Sequence, residues 1–200
     1  IYGKNTNHKT SFKESDDRVL GSTMISRWSY SCAKALDEFL AFAYYREKKL
    51  PVVIVRFFNI CGPGQSGRYG MVIPRFVKQA LLNQPMTIYG DGKQTRSFTH
   101  VSDAISAIMK LAENRKAVGE VFNLGNSKAV SINALAGKIK KMTESRSELL
   151  YIPYERAYEK GFEDMRHRRP NVEKLEKLIG FKSTYTIDGI LKDTIKFFEG

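Results

Sequence analysis

The fold is decided by the stretch Pro51-Val52-Val53-Ile54-Val55-Arg56-Phe57-Phe58-Asn59. Its middle is apolar almost throughout and rich in β-branched residues, which is typical of a strand buried on both faces of a parallel sheet. Directly before it, the residues from Trp28 to Lys48 carry apolar side chains at spacings of three and four, which predicts one long helix. A helix followed so closely by a buried strand indicates an α/β domain.

Short strands alternate with helices along the rest of the chain. The pattern predicts strands at 86–89, 97–101, 120–124 and 149–153, and helices at 72–82, 103–113, 132–142, 171–178 and 187–198. Ser102 or Asp103 is expected to cap the second of these helices and Ser131 the third, because their side-chain oxygens can accept a hydrogen bond from a free backbone N–H group. Residues 154–170 are charged and lack periodicity, so we expect an irregular surface segment there.

The composition is that of an ordinary globular protein. The chain has 200 residues, of which 42% are hydrophobic and 27% charged, and no apolar run approaches the length of a membrane-spanning helix. Cys32 and Cys61 lie far apart, which predicts reduced thiols in a cytoplasmic protein. His8, His100 and His167 do not cluster, so no metal site is predicted. The net charge of +12 favours polyanionic partners: nucleic acids, anionic membranes or phosphorylated metabolites.

One pair of residues on the predicted long helix can perform acid–base chemistry. Tyr30 and Lys34 are four residues apart, so their side chains share a face of the helix. A tyrosine phenol in water has a pKa of about 10, and a neighbouring cation stabilises the phenolate and lowers that pKa. Such a pair can act as a general base near neutral pH. The spacing alone also fits a helix residue beside a solvated lysine.

Five ordered blocks that include this pair resemble one family. Over nearly its whole length, the chain is similar to the C-terminal portion of the NAD-dependent nucleotide-sugar epimerases and dehydratases, which are extended short-chain dehydrogenase/reductases. The blocks that carry the resemblance are Tyr30 to Lys34, Arg56 to Pro63, Tyr89 to Gly92, Thr95 to Asp103 and Phe122 to Gly125. The resemblance implies the last part of a doubly wound parallel-sheet (Rossmann-like) domain at residues 1–60. Residues 61–200 would mainly form a smaller α/β substrate-binding domain, with some elements returning to the sheet.

The resemblance also implies a reaction. Tyr30 would take a proton from a sugar hydroxyl, usually at C4, while tightly held NAD accepts a hydride. Lys34 would stabilise the phenolate and hydrogen-bond the nicotinamide ribose, and Phe57 and Phe58 would lie beside the cofactor. Reduction of the 4-keto sugar from its other face would make the protein a UDP-sugar 4-epimerase. A homodimer through the helix from Trp28 to Lys48 is implied as well, with no nucleic-acid and no membrane partner.

Five residues match positions that contact the nucleotide sugar in this family. Asn59 and Arg96 match contacts to the diphosphate, of which the arginine can be bidentate. Val72 matches a backbone N–H donor to the nucleotide, Tyr89 an aromatic ring beside the base, and Arg168 a nucleotide-contacting arginine. Three have a simpler alternative: Arg96 can form an ion pair with a carboxylate, Tyr89 can belong to the core, and Arg168 lies among several arginines.

The residues that decide between reactions are expected upstream of Ile1. There the family has its Gly-rich phosphate loop and its catalytic Ser or Thr, or the acid-and-carboxylate pair of the dehydratases. Gly62-Pro63-Gly64 opens no helix and is not interpreted as that loop. A 4,6-dehydratase and a UDP-glucuronate decarboxylase therefore stay open beside the epimerase, and residues Glu163 to Asn171 resemble both decarboxylases and epimerases. A non-catalytic nucleotide-sugar-binding or interaction module stays open as a different class.

Overall fold

The computed structural model describes residues 1–4, 11–67, 71–158 and 164–200, so His8 and Glu163, named above, lie outside the described residues. The described helices are α1 (Arg27–Lys48), α2 (Val72–Leu81), α3 (Val101–Ala112), α4 (Ile132–Met142), α5 (Tyr154–Ala157), α6 (Glu173–Ile179) and α7 (Ile187–Glu199). The described strands are β1 (Val53–Phe57), β2 (Ile60–Cys61), β3 (Met86–Tyr89), β4 (Thr95–Ser97), β5 (Thr99–His100), β6 (Glu120–Leu124), β7 (Ala129–Ser131), β8 (Leu149–Ile152) and β9 (His167–Arg168).

The strands pair mainly in parallel. β1 pairs with β6 in a register that runs from Val53 opposite Glu120 to Phe57 opposite Leu124. β2 pairs with β5 and β3 with β8, both in parallel, and β4 lies between antiparallel β7 and parallel β9. The predicted α/β class with parallel strands is confirmed. The strand β6 comes from the later part of the chain to lie beside β1, and a division into domains near residue 60 stays a prediction.

Apolar clusters hold these elements together. The first lies where α2, α4 and α7 meet β3, and its fully buried side chains include Phe76, Ile88, Leu135 and Ile190. The second joins β6 to α3 and α6, and includes Phe122, Leu111 and Leu175. A third and smaller cluster, of Tyr2, Phe12 and Phe58, ties the first residues of the chain to the end of β1. Burial of each such side chain contributes about 1.5–3 kcal/mol, so these clusters fix the elements that carry the cavities described below.

The helix α1 buries little of its surface. Of its 22 residues, the buried ones are Trp28, Ser31 and Glu38, whereas Leu36 is 58% and Phe39 62% exposed. The helix therefore rests on the remainder of the protein through one narrow face, and two of the three residues on that face are polar.

The strand β1 is less buried than its sequence predicts. Val53 and Val55 pack against the second cluster, but Phe57 is 48% exposed. The reason is that, within the described residues, β1 has a neighbouring strand only on the β6 side. The prediction of a strand buried on both faces is thus wrong for the chain as it stands.

Some predicted boundaries are also wrong, and the reason is a histidine cap. The predicted strand at 97–101 is split into β4 and β5, and α3 begins at Val101 because the His100 Nδ1 accepts a hydrogen bond from the backbone N–H of Ser102 at 3.1 Å. Ser131 caps α4 as predicted, since its hydroxyl accepts a hydrogen bond from the Ala134 N–H at 3.1 Å. The segment expected to be irregular surface, 154–170, contains α5 and β9.

Two features are missing from the part of the chain that the structure describes. None of its helices combines the length and the apolar character that crossing a membrane requires. Its His, Cys, Asp and Glu side chains also form no group of three or more that could hold a metal ion.

Candidate active site

Two cavities meet at Arg168, which lines both of them. The larger cavity, of about 760 Å³, lies between α1, β1 and the first residues of the chain. The predicted catalytic and cofactor-binding residues line this larger cavity: Tyr30, Lys34, Phe57 and Phe58. The smaller cavity, of about 250 Å³, lies between α2, β3 and β4. The predicted substrate-binding residues line this smaller cavity: Asn59, Val72, Tyr89, Arg96 and Arg168.

The proposed general base lies at the open side of the larger cavity. Tyr30 is 67% exposed, and among the described residues no hydrogen bond joins it to Lys34. The Lys34 ammonium instead donates a hydrogen bond to the carboxylate of Asp37 at 2.8 Å. This hydrogen bond, together with the charge of Asp37 and a smaller contribution from Tyr30, raises the pKa of Lys34. Lys34 therefore stays a cation near Tyr30, as a phenolate-stabilising role requires.

Trp28 packs the first turn of α1 against the rest of the protein and thereby fixes the position of Tyr30. Its indole is 4% exposed and packs directly over Gly21. A Cβ atom at Gly21 would come within 2.3 Å of the Trp28 Nε1, so a larger residue there would push the start of the helix away. The guanidinium of Arg27 lies 5.5 Å from the centre of the same ring, which brings a second cation beside Tyr30.

The larger cavity fits part of an NAD molecule. Tyr30 and Lys34 offer a hydroxyl and an ammonium group for a ribose, and Phe57 offers an exposed apolar ring, whereas Phe58 is 3% exposed and belongs mainly to the third cluster. Residues Gly62 to Gly67 contain three glycines with the spacing of a dinucleotide-binding loop, but they follow β2, and the next described helix begins at Val72. Among the described residues, the lining of the larger cavity contains no glycine-rich loop. A role of Tyr30, Lys34, Phe57 and Phe58 in holding NAD stays a prediction.

The smaller cavity has backbone and side-chain donors at one end. Asn59 follows β1 with a φ of 44°, a left-handed conformation that asparagine tolerates, and its Nδ2 donates to the Ser97 carbonyl at 2.8 Å. Val72 is the first residue of α2, which follows Met71 without a side-chain cap. The first N–H groups of a helix have no partner inside the helix. Val72 lines the cavity, and a hydrogen bond from its N–H group to a nucleotide stays a prediction.

Tyr89 lies between another tyrosine and an arginine. Its ring meets Tyr158 edge to face, with 5.4 Å between the ring centroids, and the guanidinium of Arg75 lies 4.3 Å from its centroid. Tyr89 is half-buried and lines the cavity. A place beside a nucleobase stays a prediction for this residue.

Arg96 forms the ion pair that the sequence left open as its alternative. Its Nη2 donates to both carboxylate oxygens of Asp164, at 2.8 and 3.0 Å, and its Nη1 donates to the carbonyls of Thr95 and Met165, both at 2.8 Å. Both terminal nitrogens of the guanidinium are thereby engaged within the chain. A contact of Arg96 with a diphosphate stays a prediction, and it requires that Asp164 be displaced.

Three arginines converge where the two cavities meet. The Nη1 of Arg27 lies 3.7 Å from the Asp164 carboxylate that pairs with Arg96. Burial, and next the charges of Arg96 and Arg27, lower the pKa of Arg168. The hydroxyl of Tyr154 donates to the same Asp164 at 2.8 Å, and burial together with this contact raises the pKa of that tyrosine. The carboxylate of Asp164 thus pairs with Arg96 and Arg27, and Arg168 lines both cavities.

Sequence reasoning missed two of these residues. Arg27 lies three positions before Tyr30 on the same helix, so helical spacing could have placed it at the site. Asp164 carries no such signal, because its contact with Arg96 joins residues that are 68 positions apart.

The arrangement of a tyrosine–lysine helix beside a cationic cavity agrees with the family to which the sequence points. The family described as NAD dependent epimerase/dehydratase matches residues 1–125. This chain belongs to that family of NAD-dependent enzymes, and the resemblance seen in its motifs is confirmed.

Individual relatives differ in the reaction that they catalyse. A UDP-N-acetyl-alpha-D-glucosaminuronate decarboxylase from Bacillus cytotoxicus is 43% identical over 199 residues, which cover 99% of this chain and 60% of the relative. UDP-glucuronic acid decarboxylase 1 from Danio rerio is 30% identical, over 86% of this chain and 39% of that protein. The structure of a UDP-glucose 4-epimerase from Thermotoga maritima is 27% identical, with a TM-score of 0.86 over 100% of this chain and 60% of the epimerase. The chain therefore spans at most 60% of the length of these relatives.

Proposed function

We propose that the full-length protein that contains this chain decarboxylates a UDP-activated uronic acid, with NAD as cofactor. This choice puts one of the open alternatives ahead of the 4-epimerase that the motifs favour. The 43% identity with the Bacillus cytotoxicus decarboxylase across nearly the whole chain supports it. The structural observation that carries it is the pairing of Arg27 and Arg96 with the single carboxylate of Asp164, next to Arg168, which lines both cavities.

The arginine cluster suits a substrate with negative charge at both its diphosphate and its sugar. Arg96 lines only the smaller cavity, Arg27 only the larger one, and Arg168 both. A diphosphate beside Arg96 and Arg168 would therefore put the attached sugar next to Arg27 and Tyr30. Guanidinium groups bind phosphates and carboxylates with paired, charge-assisted hydrogen bonds. A uronic acid brings such a carboxylate on the sugar, whereas a neutral hexose does not.

Tyr30 is the residue proposed to move the proton. NAD, when bound, supplies the reversible oxidation at C4. The cation of Lys34 stabilises the phenolate form of Tyr30, and this phenolate takes the proton of the C4 hydroxyl and becomes a phenol. A ketone at C4 is β to the C6 carboxylate, so the C5–C6 bond can break with its electron pair delocalised onto the C4 oxygen as CO₂ leaves. A proton added at C5 would restore the C4 ketone. When that ketone is reduced with the hydride that NAD had accepted, the Tyr30 phenol would return its proton to the C4 oxygen and become a phenolate again.

A UDP-sugar 4-epimerase is the second candidate. It is favoured by the TM-score of 0.86 with the Thermotoga maritima epimerase over the whole chain. The same Tyr30 and Lys34 would serve, and the difference is that the 4-keto sugar would turn over and be reduced with its carbon skeleton intact.

Mass spectrometry of the products separates these functions. The full-length protein would be incubated with NAD and, in turn, with UDP-glucuronate, UDP-N-acetylglucosaminuronate, UDP-glucose and UDP-N-acetylglucosamine. We expect a uronate to give a product lighter by one CO₂ and the neutral sugars to remain unchanged. An isomer of unchanged mass would identify an epimerase instead. Binding of UDP-sugars without turnover of any of them would leave the interpretation as a binding module.

A further inference from the structure

A buried ion pair joins α1 to β1 directly behind the proposed catalytic residues. Glu38 lies one turn beyond Lys34 and two turns beyond Tyr30, so the three side chains share one face of α1. On β1, the Nε and Nη2 of Arg56 donate to the two carboxylate oxygens of Glu38, at 2.8 and 2.7 Å. Each side chain is only 10% exposed. A bidentate pair of this kind fixes the angle between its partners as well as their distance.

Arg56 is itself held in place by hydrogen bonds to residues outside α1. Its Nη1 donates to the hydroxyl of Tyr2 at 2.8 Å and to the carbonyl of Glu14 at 3.1 Å. The Tyr2 hydroxyl in turn donates to the Asn123 side-chain oxygen at 2.5 Å, and the Asn123 N–H donates to the Glu14 carboxylate at 2.8 Å. Arg56 is therefore tied to β6 and to the first residues of the chain, and it presents a fixed partner to Glu38.

Few other buried side chains restrain the first half of α1, whereas near its end the ring of Tyr45 packs over Gly119, where an added Cβ atom would come within 2.4 Å of that ring. Besides Glu38, its buried residues are Trp28 in the first turn and Ser31, while apolar side chains such as Leu36 and Phe39 point to solvent. Trp28 anchors one point near the start of the helix. A second anchor is needed to set the rotation about the helix axis, and the pair of Glu38 with Arg56 lies ten residues further along.

We propose that Glu38 and Arg56 are positioning residues that set the rotation of α1 and thereby direct Tyr30 and Lys34 into the larger cavity. The inference rests on the proposed function, because that function assigns the reaction to Tyr30 and Lys34. All four side chains line the same cavity. A displacement of about 1 Å at a reacting group can cost on the order of 100-fold in rate, so loss of the pair should slow the reaction more than it weakens substrate binding.

The test uses Glu38→Gln and Arg56→Lys in the full-length protein. Glu38→Gln keeps the size of the side chain and removes its charge, and Arg56→Lys keeps the charge and removes the planar fork. Glu120→Gln is the matched control, because Glu120 on β6 pairs with Lys174 at 2.7 Å in an exposed ion pair. The measurements are kcat and KM at a temperature where circular dichroism shows folded protein, and hydrogen exchange of the amides from Tyr30 to Glu38.

We expect Glu38→Gln to lower kcat at least about tenfold with KM within about threefold of wild type, and Arg56→Lys to lower kcat less. Amide exchange between Tyr30 and Glu38 should become faster in both variants and stay unchanged in Glu120→Gln. A folded Glu38→Gln or Arg56→Lys protein with wild-type kcat and wild-type exchange would overturn the inference. The exchange does not depend on turnover, so an inactive wild-type protein would count against the proposed function while the positioning of α1 could still be decided.

Discussion

Tyr30 is the side chain on which the proposed chemistry depends, and its hydroxyl can be removed while its ring is kept. We expect Tyr30→Phe to lower kcat about 10²–10⁴-fold, which is the usual cost of losing a general base. UDP affinity should not change, because Tyr30 does not line the smaller cavity. Tyr44→Phe is the matched control, since Tyr44 is an exposed tyrosine on the same helix that lies outside both cavities. Near-wild-type turnover by Tyr30→Phe would mean that another group is the base.

Asp164 occupies the donors of Arg96 that a diphosphate would use. We therefore expect Arg96→Ala to weaken UDP binding by about 1.5–3 kcal/mol, the typical cost of a lost charged hydrogen bond. Asp164→Asn should have the opposite effect and strengthen UDP binding about tenfold, because it removes a competing anion. Calorimetry on the full-length protein measures both. In the control Asp91→Asn, which breaks the exposed pair with Arg166 at 2.9 Å, UDP affinity should not move.

If UDP bound equally well to the wild type and to Arg96→Ala, Arg96 would have only its structural ion pair. If Asp164→Asn weakened UDP binding, Asp164 would be orienting Arg96 for the ligand rather than competing with it.

Single residues are predictable from sequence only where a local spacing carries the signal. Tyr30 and Lys34 have such a spacing, since they are four positions apart on one helix. Arg96 and Arg168 could be assigned only through the resemblance of their motifs. The contact between Arg96 and Asp164 depends on the pairing of β4 with β9, which no periodicity in either segment specifies.

At the scale of secondary structure, α3 differs from an ordinary helix start because the residue that caps it is a buried histidine whose ring also stacks on another ring. The His100 Nδ1 accepts the Ser102 N–H, and its ring stacks on Tyr185 with 3.8 Å between the centroids. We expect His100→Ala to lower the thermal midpoint of the full-length protein, because loss of a cap costs about 0.5–2 kcal/mol and loss of an aromatic stack about 0.5–1.5 kcal/mol. Ser131→Ala, which removes only the cap of α4, should lower it less. Equal midpoints for wild type and His100→Ala would show that the cap is dispensable.

The helix α1 is the second element with a testable consequence. It exposes more than half of several apolar side chains, namely Leu36, Phe39, Leu40 and Tyr44. An apolar stripe of this kind is normally buried against another element, and we expect a second copy of the full-length protein to bury it. Light scattering should report a dimer, and Phe39→Glu should give a folded monomer. Phe197→Glu, at an exposed site on α7, is the control and should remain dimeric. A wild-type monomer at micromolar concentration would mean that the same polypeptide covers α1.

Helices and strands with a clear period are predictable, and their pairing is not. The predicted segments at 72–82, 86–89 and 120–124 agree with α2, β3 and β6 to within one residue. The pairing of β3 with β8 joins strands about sixty residues apart and depends on how α2 and α4 pack against β3, which single-strand patterns do not encode.

The whole molecule presents an open surface where a dinucleotide would have to be enclosed. Along α1 and β1, Tyr30, Phe39 and Phe57 are 67%, 62% and 48% exposed. An apolar patch of that kind on an isolated domain promotes association with other surfaces. Tyr30 and Phe57, two of these three residues, also line the larger cavity of about 760 Å³. A cofactor lying there would be covered on one side only.

We therefore expect the isolated 200-residue chain to show no saturable binding of NAD. The pyrophosphate of a dinucleotide is normally held by a glycine loop at a helix N-terminus, and the glycines from Gly62 to Gly67 precede α2, whose first residue, Val72, faces the smaller cavity. At the larger cavity, the Lys34 ammonium already donates to Asp37, so one of the two side chains predicted to hold a ribose is engaged within the chain. Titration of NADH fluorescence measures the binding, with the full-length protein as positive control. Tight, stoichiometric binding by the isolated chain would place the cofactor elsewhere, and the assignment of Tyr30 and Lys34 to the nicotinamide end would fall with it.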